Sequence, residues 1–198
     1  MQIDEMKKEV LTVYHQMMQT ASEFRKQSDK FETERKGAKK VFNEGIIGTV
    51  GYNRDLSEIA DRENAAANVY KSKQTENLKT LKTYIDEVFS PNAEGISTSQ
   101  IEVLKAVEFT DGEYSKMIDD ALKTSPTYAR LIAASAQSHG HTTIEDKVPI
   151  MQDALSKTFE EYGRYCDSLA VEKDSALSDN WGAILQNQVG EVNDILSM

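Results

Sequence analysis

The chain has a single cysteine, three prolines and one tryptophan among its 198 residues, and each scarcity removes a class of structure. One thiol, Cys166, cannot form an internal disulfide, so no disulfide framework holds the fold. Its helical neighbours Tyr162, Tyr165 and Leu169 mark it as a small packed apolar residue rather than a reactive thiol. Prolines occur only at 91, 126 and 149, which leaves the first ninety residues free of the strongest helix breaker. No apolar stretch approaches the roughly 20 residues needed to span a bilayer. The first ten residues mix acids with bases, unlike a signal peptide. The expected location is therefore the cytoplasm, or an assembly made there, with neither signal peptide nor transmembrane segment. Strand-like alternation, tandem repeats and low-complexity tracts are also missing, and the fold class expected is all-α.

What is present is charge and helical periodicity. The net charge is -10, and it is unevenly placed. Residues 1–90 carry 15 basic and 15 acidic groups, whereas residues 91–198 carry 8 basic and 18 acidic ones. A surface of that sign repels phosphate backbones and disfavours nucleic acid as a partner.

Steps of seven from Ile3 give Ile3, Val10, Met17, Phe24, Phe31 and Ala38, an apolar column of the coiled-coil kind. A companion column, Met6, Val13, Thr20, Gln27, Glu34 and Val41, is apolar at its ends and polar in its middle, so the stripe narrows there. These columns predict a helix from about residue 3 to 44. After the glycine-rich break at 45–51, a second helix capped by Asn53 or Asp55 is expected to run to about Phe89, with Pro91 stopping it. Its apolar runs, Leu56 to Tyr70 and Leu78 to Val88, are out of phase by a residue, which predicts a register slip or local unwinding. Ala65, Ala66 and Ala67 lie between them, small enough for close helix approach. The architecture expected is a long antiparallel, coiled-coil-like hairpin over 1–90, followed over 91–198 by an acidic bundle of shorter helices with a longer C-terminal helical segment, possible packing of the bundle on the hairpin being left open.

Within that bundle, Thr98 or Ser99 starts one helix, Asp111 caps a second and Ser125-Pro126 opens a third that stops at Gly140. From about Pro149 a longer element carries Met151, Leu155, Phe159, Tyr162, Cys166 and Leu169. A last helix presents Leu177, Trp181, Ile184, Val192 and Ile195, and Gly163, Gly182 and Gly190 are positions where bending is expected.

Catalytic chemistry finds little support. His139 and His141 flank Gly140 near Glu145 and Asp146, but alternate residues in a loop share no fixed face, and a helix stop followed by a cap explains them. The acid pairs Asp119-Asp120, Glu145-Asp146 and Glu160-Glu161 point apart wherever the backbone is helical and read as solvated faces. The Gly-rich stretch Gly45-Ile46-Ile47-Gly48-Thr49-Val50-Gly51 follows a helix and lacks the lysine of a phosphate loop. No catalytic, cofactor-binding or metal-binding residue is assigned, no cofactor is expected, and the chain reads as no enzyme.

Two features point to interaction instead. One is the seam of Val10, Met17, Phe24 and Phe31, which two helices alone are not expected to cover. The other is the loop tip, where Ile46, Ile47 and Val50 are apolar in a place normally polar, and which the rest of the chain, another subunit or a lipid surface should cover. The function expected is structural: a protein that self-associates into a homo-oligomer, or binds another protein, through the apolar heptad face of its hairpin, as components of virus particles and other large assemblies do. Two alternatives are a membrane-docking protein using loop 45–51, and an acidic inhibitory module.

Overall fold

The structure, a computed structural model, describes residues 2–171 and 180–197, and among them contains seven α-helices and no strand. The helices are α1 (Ile3–Asn43), α2 (Thr49–Phe89), α3 (Thr98–Ala106), α4 (Asp111–Leu122), α5 (Pro126–Ser138), α6 (Lys147–Val171) and α7 (Trp181–Ile195). The two long helices have 41 residues each, about 60 Å at 1.5 Å per residue. They pack on one another as an antiparallel hairpin.

Local sequence sets most boundaries. Gly45 adopts φ 73° and ends α1 with paired bonds, Gly45 N–H to the Phe42 carbonyl at 3.0 Å and Ile46 N–H to the Val41 carbonyl at 3.1 Å. This is the glycine-dependent stop that satisfies two orphan carbonyls at once. Ser97, Thr110 and Ser125 each accept a backbone N–H from three residues on and so cap α3, α4 and α5. Gly140, at φ 93°, follows the end of α5.

Some expected boundaries shift. The second helix starts at Thr49 behind Gly48, four residues or more before Asn53 and Asp55, so Val50 and Gly51 are helical and the connection is only residues 44–48. Thr110 rather than Asp111 caps α4, because a Thr side chain with Glu113 three residues later closes a reciprocal capping box. Helix α6 starts at Lys147 with Pro149 tolerated in its first turn. The anticipated slip in α2 leaves no unwinding: the helix is continuous, and the polar Gln74 fills the inward position between the two apolar runs. Gly163 has a packing role. A Cβ there would lie 3.2 Å from Leu78 Cδ1, so this glycine allows α6 to approach α2 closely. Leu177 lies outside the described residues.

The buried core runs through both halves of the sequence. It takes Ile3, Met6, Val10, Val13, Tyr14, Met17 and Ala21 from α1, Tyr70 to Phe89 from α2, and the inner faces of α3 to α7. Helix α6 lies along the hairpin in contact with both long helices, and α7 covers α6 and α1. Tyr14 and Tyr162 stack at 3.9 Å between centroids, and the Tyr162 hydroxyl donates to the Tyr14 carbonyl at 3.0 Å. Between residue 30 on α1 and residue 67 on α2 the only buried side chains are Phe31 and Ile59, and neither belongs to this core. That stretch is a two-helix arm, standing about 20 Å beyond the base.

Candidate interaction surface

Three residues of the expected seam, Val10, Met17 and Phe31, are buried by the chain itself, and Phe24 is half-buried against the core. Val10 and Met17 sit in the core, Met17 with 0% exposure. Gln74 crosses from α2 to donate to the Met17 carbonyl at 3.0 Å. Phe24 stacks on Tyr70 at 4.9 Å. Phe31 is 9% exposed, with the Arg62 guanidinium 5.7 Å from its ring centre. Arg62 also binds Glu34, and Arg35 binds Glu63, so charged side chains roof the narrow arm. The hairpin's apolar face is thus used within the molecule, chiefly by α6, and offers no open stripe.

The arm's end differs. Phe42 and Tyr52 stack at 4.7 Å and close the last interhelical layer. Beyond them Ile46 is 68% exposed and Val50 85% exposed, with Ile47 half-buried beneath Gly51. Of the three coverings expected for the tip, the rest of the chain leaves Ile46 and Val50 open, so another subunit or a lipid surface is what could cover them. A turn of five residues between antiparallel helices places its side chains past the reach of any other element. Residues 35–54 hold five basic side chains, Arg35, Lys36, Lys39, Lys40 and Arg54, against the single acid Glu44. Four of those five are ion-paired to acids at hand, Arg35 to Glu63, Lys36 to Glu32, Lys40 to Glu44 and Arg54 to Asp55 and Glu58, so the tip is apolar and its flanks are close to neutral.

The remaining candidates resolve into structural roles. His139 Nδ1 is 2.8 Å from the Tyr114 hydroxyl. His141 is bonded to Asp111, which also accepts from the Thr143 hydroxyl at 2.8 Å. The Thr143 bond, and then the His141 bond, hold the Asp111 carboxyl below its usual range. Together these bonds tie the loop after α5 to the start of α4. No group of three or more His, Cys, Asp or Glu side chains among the described residues is placed to hold a metal ion. The acid pairs diverge: Asp119 binds Lys147 at 2.7 Å and Asp120 binds Lys123 at 2.9 Å, while Glu160 binds Lys82 and Glu161 accepts from Tyr165. Cys166 is buried, and burial pushes its thiol up to about 12.

Gln74, the Tyr14–Tyr162 pair and Gly163 were not singled out from sequence for these roles. Gln74 follows Tyr70 by four residues and precedes Leu81 by seven, spacing that marks an inward position whatever its polarity. The chain matches no protein-family model, no curated protein and no solved structure.

Proposed function

We propose that the protein is a non-enzymatic structural and assembly protein that holds its partner, a second copy or another protein, at the end of its helical arm. The observation that carries this reading is the pair Ile46 and Val50, the most exposed large aliphatic side chains of the hairpin, set at the end of an arm whose other large apolar residues are buried or half-buried. Exposed aliphatic groups lower solubility, and their concentration at one projecting point is characteristic of a contact surface. The contact belongs to the tip and not to the heptad face, because opening Val10 or Met17 to a partner would require displacing α6.

Solution mass by light scattering over a concentration series tests this for the parent chain and for Ile46→Ser/Val50→Ser. The parent should gain mass with concentration and the variant should stay monomeric. Identical masses for the two at every concentration would remove self-association through the tip.

A further inference from the structure

Helix α3 is the least anchored helix among the described residues. Leu104 is its single buried side chain, against four or more in each of the other six. It packs chiefly on α5, where the Ser135 hydroxyl donates to the Leu104 carbonyl at 2.6 Å. Between the two helices a groove of about 300 Å³ stays open beside Ile101, Leu104, Leu131 and Ala134. The chain is fastened on either side of α3. Before it, the Asn92 N–H donates at 2.7 Å to the hydroxyl of Thr127, in the first turn of α5. After it, the Phe109 ring meets Tyr114 edge-on at 5.4 Å. Residues 93–107 therefore form a strap between two fixed points, and a unit with one buried apolar anchor sits at the low end of local stability.

The second fixed point contains a titratable group. His141 lies between two carboxylates: its Nδ1 is bonded to Asp111, and its Nε2 is 3.7 Å from a Glu108 oxygen. That Nε2 is buried and has no hydrogen-bond partner. A neutral imidazole has one N–H and one lone pair, and an ionised carboxylate only accepts. The bond to Asp111 therefore takes the N–H at Nδ1 and turns the Nε2 lone pair towards Glu108. An imidazolium has an N–H on both nitrogens and can donate to both acids. The Asp111 carboxyl, held below its usual range first by Thr143 and then by His141, stays ionised wherever an imidazole titrates. The other titratable groups facing His141 are Tyr114, with its ring 5.1 Å away, and His139, which is bonded to the Tyr114 hydroxyl.

We propose that α3 is a strap that opens by local unfolding while the rest of the base stays folded, and that protonation of His141 latches it shut through Glu108. Closing with the latch made takes up a proton. The strap is therefore held best below about pH 6.5, where an ordinary imidazole is charged, and opens more readily as the pH rises through and above that value. Glu108 is 71% exposed, so water screens the latch and its effect on the opening equilibrium is about two- to fivefold. Opening bares the face of α5 on which Leu104 lies, so acidity controls access to that face. This device is independent of the arm and its tip.

Amide hydrogen exchange of the full chain at pH 6 and pH 8, corrected for intrinsic exchange rates, tests both parts. Amides of residues 102–107 should exchange at least about 100-fold faster than those of residues 117–122 in α4 and 132–136 in α5. Their protection should fall about two- to fivefold from pH 6 to pH 8, while protection in α4 and α5 holds. Glu108→Gln should abolish that fall, because a Gln amide donates to the neutral ring as readily as it accepts from the charged one. Glu102→Gln, which removes the same charge from an exposed position on α3, should keep it. Both substituted positions are exposed, so the fold survives the changes. Protection in α3 equal to that in α4 and α5 would overturn the strap. A parent whose α3 protection is the same at both pH values, or a Glu108→Gln chain that keeps the parent's fall, would overturn the latch.

Discussion

Replacing Met17 by alanine should lower the stability of hairpin and base together by about 3 kcal/mol. Met17 has no exposed surface and shares its buried cluster with Leu155, Phe159 and Tyr162 of α6. Truncating a buried methionine to alanine costs about 2–5 kcal/mol, from lost transfer energy and from the cavity left behind. For a chain of 198 residues each kcal/mol moves the melting temperature by about 2–4 °C, so a loss of about 3 kcal/mol lowers it by roughly 6–12 °C. Two probes separate a shared core from independent halves. Far-UV circular dichroism is dominated by the two 41-residue helices. The emission of Trp181, the only tryptophan, reports α7, where it packs 6.3 Å from Tyr162. Both transitions should fall by the same amount, whereas Ile46→Ala, at an exposed position, should move neither by more than about 0.5 kcal/mol. A Met17→Ala chain whose dichroism transition falls while its Trp181 transition stays in place would refute the shared core.

Two further perturbations address the same core. Tyr162→Phe should cost about 1 kcal/mol through loss of its bond to the Tyr14 carbonyl. Tyr14→Phe should be neutral or stabilising by up to about 1 kcal/mol, since the Tyr14 hydroxyl is buried with no partner and its removal relieves an unmet desolvation cost; denaturant titrations of the pair would decide this, and equal losses in both would contradict it. Burial raises the Cys166 thiol from its ordinary 9.0 to about 12, so above pH 9 the unfolded chain releases a proton that the folded chain keeps. The contribution of Cys166 should therefore be flat below pH 9 and should destabilise the fold progressively as the pH rises from 9 towards 12. Stability should decline less steeply in Cys166→Ala over that window, and an identical slope in the parent would contradict the assignment.

The helices were legible because their determinants are local. Heptad columns, a Gly at the end of α1, Ser-Pro before α5 and Thr98-Ser99 at the start of α3 act within a few residues, and they placed the hairpin and most of the shorter helices. What covers the hairpin depends on the width of its apolar stripe. From Ile3 to Ala21 the stripe includes a third column, Tyr14 and Ala21, beside the two expected ones; from Phe24 onward it shrinks to a single residue per turn or two. A wide stripe needs more than one neighbour and a narrow one needs only its hairpin partner, and that difference marks where the base ends and the arm begins. The tip residues were legible as anomalies, because Ile46, Ile47 and Val50 occur where polar residues are normal. Gly163 was read as a possible bend because a lone glycine in a helix looks the same in sequence whether it kinks the helix or admits a neighbour.

Small-angle scattering from dilute, monomeric protein tests whether the arm stands free of the base, on which the proposed function depends. A helix of 41 residues requires a maximum dimension of at least about 60 Å, with a radius of gyration clearly above the roughly 16 Å of a compact chain of 198 residues. A radius of gyration near 16 Å with a maximum dimension well short of 60 Å would contradict the extended arm and leave the tip nothing to reach with.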